Sequence, residues 1–173
     1  MFTVEFYAFS GDTVGDIIEN EDTLASFVSE KSYKNSYLPD ECSDVLMFLL
    51  SEEFNTEEFI PSLNINEDYD YEFLLLMENG EIIHNGDAPV FYFEEYDATT
   101  FVIQVLDEFT KEDLNKRFEA SITYENGYHN MTNRYGEKIN IEQIWQAFLN
   151  LKAFFEKARD EEDAVICIWY GCS

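Results

Sequence analysis

Ile141-Glu-Gln-Ile-Trp-Gln-Ala-Phe-Leu-Asn-Leu-Lys-Ala-Phe-Phe-Glu-Lys-Ala158, followed after Asp160-Glu-Glu-Asp163 by Ala164-Val-Ile-Cys-Ile-Trp-Tyr170, is the stretch whose reading decides the fold. In its first part Ile141, Ile144, Trp145, Phe148, Leu151, Phe154, Phe155 and Ala158 recur every three or four residues, the period of an amphipathic helix. Asn140, with Gln143 three residues on, supplies a capping signal at its start. The second part is apolar at every position, which marks a central strand covered on both faces. A broad helical stripe next to such a strand implies a helix docked along a sheet.

Working outward, Phe2, Val4, Phe6 and Ala8 alternate with Thr3, Glu5 and Tyr7, which predicts a half-buried strand over residues 2–9. Between Thr13 and Lys31 the apolar positions fit one or two short helices broken near Asn20-Glu-Asp22. Asp40 to Glu53 reads as a buried helix, with Val45, Leu46, Leu49 and Leu50 at helical spacing and Met47 and Phe48 widening the stripe. The turn signals Asn79-Gly80 and Asn85-Gly86-Asp87 bracket a short strand, Glu81-Ile-Ile-His84, in a small hairpin. Val90 to Phe93 is a further strand, and Ala98, Phe101, Val102, Val105, Leu106 and Phe109 predict the apolar face of a helix. Thr110-Lys-Glu-Asp113 resembles a capping box that opens a helix burying Leu114 and Phe118.

These elements predict one α+β domain over residues 1–173, with a mostly antiparallel or mixed sheet and a long C-terminal helix packed on it. A chain of 173 residues supports a single core without a metal or disulfide staple. The three cysteines, Cys42, Cys167 and Cys172, are odd in number and lack CxxC spacing, so they read as free thiols of a reducing, cytoplasmic environment. Glu5 interrupts the first apolar segment, which is unlike a secretory leader, and the longest strongly apolar run, Val45 to Leu50, is too short for a membrane span.

The order of elements from residue 86 to 170 resembles the YfbM-like family, small bacterial α+β proteins of uncharacterised function. The resemblance is carried by Pro89-Val-Phe-Tyr-Phe93 leading into a helix, by Thr110-Lys-Glu-Asp-Leu-Asn-Lys-Arg-Phe118, by Leu151-Lys-Ala-Phe-Phe-Glu-Lys-Ala158 and by the closing strand Ala164-Val-Ile-Cys-Ile-Trp169. Residues 38–50 add a helix similar to the family's Leu-Asp-Lys-x-Trp-x-x-Leu-His segment, with Ser43 in place of the Trp and Met47 in place of the His. Phe91 stands where the family often places Arg, and residues 1–36 carry no matching motif. The resemblance implies the fold and no activity.

Charge decides the functional expectation. With 37 Asp and Glu against 10 Lys and Arg the formal net charge is −27, yet 29 aromatic side chains exclude an acidic disordered tail. A field this negative repels phosphates and anionic lipid and attracts basic surfaces, so direct nucleic-acid and membrane binding are not expected. The composition is rich in Asn, Ile, Phe and Tyr, a bias that raises Lys as well, yet there are only seven lysines, so the deficit is not a by-product of codon usage. The competing reading is that charge merely keeps an aromatic-rich domain soluble.

Established reaction frameworks are missing: no GxSxG, HExxH, Walker loop or dinucleotide fingerprint occurs. Gly11-Asp-Thr-Val-Gly15 is flanked by Asp12 and Asp16, which would repel a phosphate, and reads as a turn and helix start. His84 and His129 lack a second His or Cys at ligand spacing, and the alternating Asn64, Asn66, Asp68, Asp70 and Glu72 fail the EF-hand template because Tyr69 occupies the glycine position. No metal and no cofactor is expected.

The leading expectation is therefore a non-catalytic acidic interaction protein that binds a basic protein partner, such as a toxin or nucleic-acid-binding protein. An immunity, anti-restriction or other anti-defence inhibitor that mimics nucleic-acid charge has this physics, because many fixed charges speed association and release counterions. The acids expected on that surface are Glu94, Glu95 and Asp97, with Asp68, Asp70 and Glu72. The alternative is a small-ligand-binding protein or enzyme with a cleft near residues 64–92, involving His84 and Tyr92.

Overall fold

The computed structural model describes residues 2–13, 15, 17, 21–38, 42–50, 80–84, 90–123 and 137–171. Five strands form one sheet in the order β2-β1-β5-β4-β3, every neighbouring pair antiparallel. The strands are β1 (Phe2–Ser10), β2 (Asn35–Tyr37), β3 (Glu81–His84), β4 (Val90–Phe93) and β5 (Asp163–Gly171). The helices of the described residues are α1 (Glu21–Ser29), α2 (Ser43–Leu49), α3 (Asp97–Asp107), α4 (Lys111–Thr123) and α5 (Ile141–Asp160).

The continuous apolar run at the C-terminal end is the middle strand. β5 pairs along its whole length with β1, from Phe2 opposite Gly171 to Ser10 opposite Asp163, and on its other side with β4, from Val90 opposite Ile168 to Phe93 opposite Val165. Alternate residues then enter two separate cores, as the pleat requires. Val165, Cys167 and Trp169 join Val4, Phe6, Ala8, Phe91 and Phe93 beneath α2, α3, α4 and α5. Ala164, Ile166 and Ile168 join Tyr7, Phe9 and Val90 on the opposite face, against Leu24 and Phe27 of α1 and Ile17.

Two details depart from the sequence expectation. β1 alternates as predicted, but its second face is buried too, with Tyr7 3% and Phe9 1% exposed, because α1 covers it. β2 carries no alternating run long enough to be read as a strand, and its three residues pair with Phe6, Tyr7 and Ala8 at the edge of the sheet.

α5 forms where the periodicity places it. The Asn140 side chain accepts from Gln143 N at 3.1 Å, and the Gln143 side chain accepts in return from Asn140 N at 3.1 Å, so two otherwise orphaned amides are satisfied. Lys157 and Arg159 lie in its last turn, where the helix dipole favours cations. Its buried face sets Phe155 edge-on to Phe6 and to Phe154, with ring centroids 5.3 Å apart in both pairs, and Phe154 tilted at 47° to Phe6 at 6.2 Å. Phe93 adds a further edge contact to Phe155 at 6.1 Å.

Thr110 and Asp113 form the predicted reciprocal cap of α4: Thr110 N donates to Asp113 Oδ2 at 3.0 Å and Asp113 N donates to Thr110 Oγ1 at 3.2 Å. The Thr110 hydroxyl, which donates to the same Oδ2 at 2.5 Å, and then the Thr110 amide hold the Asp113 carboxyl below the usual carboxylate range. Leu114 and Phe118 are buried as expected. The helix expected over residues 40–53 is described over Ser43–Leu49, and Val45, Leu46, Met47, Leu49 and Leu50 are all buried. Phe101 of α3 points outward instead of into the core, and Trp145 is only partly buried, stacked on Phe148 at 5.0 Å and 13°.

Phe155→Ala should therefore cost about 3–5 kcal/mol, the range for deleting a buried ring from a close-packed core. Trp145→Ala should cost less, roughly 1–2 kcal/mol, because part of the ring already faces solvent. Urea unfolding of the two variants checks the order; equal losses would mean that the stripe is buried evenly.

Candidate acidic interface

The junction between β4 and α3 concentrates the acids that the sequence singled out. Phe93 ends β4 in the core, and the chain then turns sharply at Glu94-Glu95-Tyr96. Tyr96 adopts φ 58° and ψ −59°, and Asp97 N donates to Glu95 O at 2.7 Å, the geometry of a γ-turn of the strained hand. Thr99 Oγ1 donates back to Tyr96 O at 3.1 Å, and Thr100 N donates to the same carbonyl at 2.8 Å, so the turn is clamped to the first turn of α3. Burial of Ala98 and Thr99 anchors that helix end while leaving Glu94 and Asp97 exposed and Tyr96 56% exposed.

An open cleft of about 420 Å³ lies here, lined by Glu81, Tyr92, Glu94, Asp97 and Ala98. Glu81 reaches it because it is the cross-strand partner of Tyr92 in the β3–β4 pair. Burial, and then the charges of Glu95, Glu94 and Glu81, push the Tyr92 phenol up to about 12. At neutral pH it therefore stays a neutral donor among acceptors. Glu95 leans the other way, onto the turn after β1, where its Oε1 lies within 1.2 Å of the place a Cβ on Gly11 would take.

The amide end of α3 offsets part of the Asp97 charge. No ion pair between described residues involves Glu81, Glu94, Glu95 or Asp97; the described pairs occupy Lys34, Lys111, Lys116, Lys152, Lys157 and Arg159 elsewhere. Arg117 is also engaged, donating to Leu49 O at 2.6 Å over the Phe109 ring.

Of the residues expected at an acidic surface, Glu94 and Asp97 are brought together while Glu95 turns away onto Gly11, and Tyr92, expected in a cleft, lines this one. Asp68, Asp70, Glu72, His129 and Cys172 lie outside the described residues, as does most of the cleft expected near residues 64–92 and the His84 side chain. Glu81 was not singled out; its place as the first strand residue after Asn79-Gly80 was the available signal. Among the described residues no group of three His, Cys, Asp or Glu side chains could hold a metal ion, and no helix is long and apolar enough to cross a membrane.

Two other polar clusters serve the fold. Tyr7 OH donates to Glu5 Oε2 at 2.5 Å, and Tyr170 bonds the same carboxylate, so burial and this shared anion raise both phenols, Tyr170 to about 12. The buried Asp163 carboxylate at the start of β5 accepts from Lys34, whose ammonium it holds above its ordinary pKa. Cys42 and Cys167 are buried thiols, and burial raises the Cys167 thiol far above its usual range, so it is a poor nucleophile at neutral pH.

The fold and this surface define a class: an acidic α+β domain whose sheet is covered by helices on both faces. The chain belongs to a family of domains of unknown function, DUF1877, whose sequence model matches residues 2–168 and so extends through the N-terminal region that showed no motif. The same fold occurs in the crystal structure of YfbM from Escherichia coli, a protein of unknown function, with a TM-score of 0.60 and 14% identity over 96% of this chain and 99% of that one. No curated protein matches the chain.

The raised tyrosines set an alkaline limit. A phenol whose pKa is higher in the folded state contributes stability below its unfolded value of 10.0, and that contribution is lost as pH rises toward about 12 for Tyr92. Thermal midpoints should fall over this interval, and Tyr92→Phe should make the fall shallower. An unchanged slope would place the phenol in open water.

Proposed function

We propose that this protein is a non-catalytic, cytoplasmic binding module whose acidic surface engages a basic protein partner, as an inhibitor or immunity-type protein does. The observation that carries this reading is the convergence of Glu81, Glu94 and Asp97, from β3, the β4–α3 junction and α3, on one cleft with no basic residue among its described lining. Carboxylates held by rigid strand and helix ends repel one another, and they are most cheaply neutralised by an incoming ammonium or guanidinium. Displaced counterions then add to affinity at low salt, as they do when a cationic protein meets a polyanion.

The cleft also has a tyrosine wall, which suits the alternative of a small cationic ligand. Its openness to solvent favours a protein surface. The double change Glu94→Lys and Asp97→Lys should leave the fold intact, because both side chains are exposed. It should weaken binding of a basic partner about tenfold or more, and wild-type affinity should fall steeply between about 50 and 200 mM salt. Calorimetric titration at several salt concentrations measures both, and a flat salt response would remove the charge-driven reading.

A further inference from the structure

The outward stripe of α3 carries more than charge. Asp97, Phe101, Gln104 and Glu108 follow one another at intervals of three or four residues and are all exposed, so they share one face of the helix. Phe101 is 37% exposed although its sequence spacing fitted the core face, and Tyr96, 56% exposed, stands at the head of the same helix. Two aromatic side chains are thus exposed on this helix and at its head, and Asp97, the first residue of the stripe, also lines the cleft of Glu81 and Glu94.

We infer that this face of α3 is the anchor half of the interface, and that its occupant is a basic protein segment carrying an apolar side chain between its cations. The inference rests on the acidic-partner reading and specifies what that partner must present. Charge complementarity selects the occupant: an apolar segment flanked by acids would be repelled by a chain of net charge −27, whereas Lys or Arg beside an apolar residue satisfies rim and rings together. The division of labour follows from physics. Fixed acids raise the association rate through long-range attraction, while desolvated aromatic anchors at the centre of a contact slow dissociation. Tyr96 is held for this by its γ-turn, which costs backbone strain that a glycine would avoid.

The test uses two synthetic peptides of equal charge, both rich in lysine, one with two leucines between the lysines and one with serines in their place. Binding to the full chain is followed by stopped-flow fluorescence at about 50 mM salt, where charge attraction is strong. The leucine peptide should bind about tenfold more tightly, with the difference in its dissociation rate. Phe101→Ser, and independently Tyr96→Gly, should bring the leucine peptide close to the serine peptide without changing either association rate; circular dichroism verifies that both variants fold. Equal affinity of the two peptides for the wild-type protein, or an advantage for leucine that survives both variants, overturns the anchor inference and leaves the acidic reading standing. Absence of binding by either peptide overturns both.

Discussion

Everything else in this structure depends on one constraint, that the apolar strand β5 must be covered on two faces. A strand with Val165, Cys167 and Trp169 on one side and Ala164, Ile166 and Ile168 on the other cannot lie at the surface of a sheet. It takes the middle position between β1 and β4 and requires a layer of helices on each side. The larger layer is secured by the aromatic contacts of Phe154 and Phe155 with Phe6 and Phe93. The smaller is secured by Phe27 against Phe9, with centroids 5.4 Å apart.

Because this double core supplies the stability, the surface is free to be unbalanced. The described ion pairs are mostly exposed, and such pairs add little to folding. The exception in position is Asp163, buried at the first residue of β5 and bonded to Lys34, where a polar contact fastens the central strand to the segment leading into β2. The remaining acids repel one another across the surface, and at the β4–α3 junction the backbone itself is bent to present them. A surface that opposes folding in this way is consistent with charge used outside the molecule.

The sequence made the fold legible where burial imposes a period. The stripe from Ile141 to Ala158, the apolar run from Ala164 to Tyr170 and the caps at Asn140 and Thr110 correspond to elements of the structure. The three-residue β2 escaped because so short an edge has no period, and the buried second face of β1 escaped because coverage by α1 is a tertiary fact. Phe101 was misplaced because helical spacing alone does not say how wide the buried arc is. At the site, adjacency in sequence exposed Glu94, Glu95 and Asp97. Glu81 joins them only through its register with Tyr92, which no local pattern encodes.

Whether the acids are unpaired burdens on the fold is decided most directly by the unfolding free energy in urea as sodium chloride is raised from about 0.05 to 1 M, where the screening length shrinks to about 3 Å. Stability should rise with salt, because screening relieves repulsion among carboxylates that outnumber the Lys and Arg side chains 37 to 10. A fall would mean that the charges are paired within the molecule and hold the fold together, and would contradict a surface kept acidic for an outside partner.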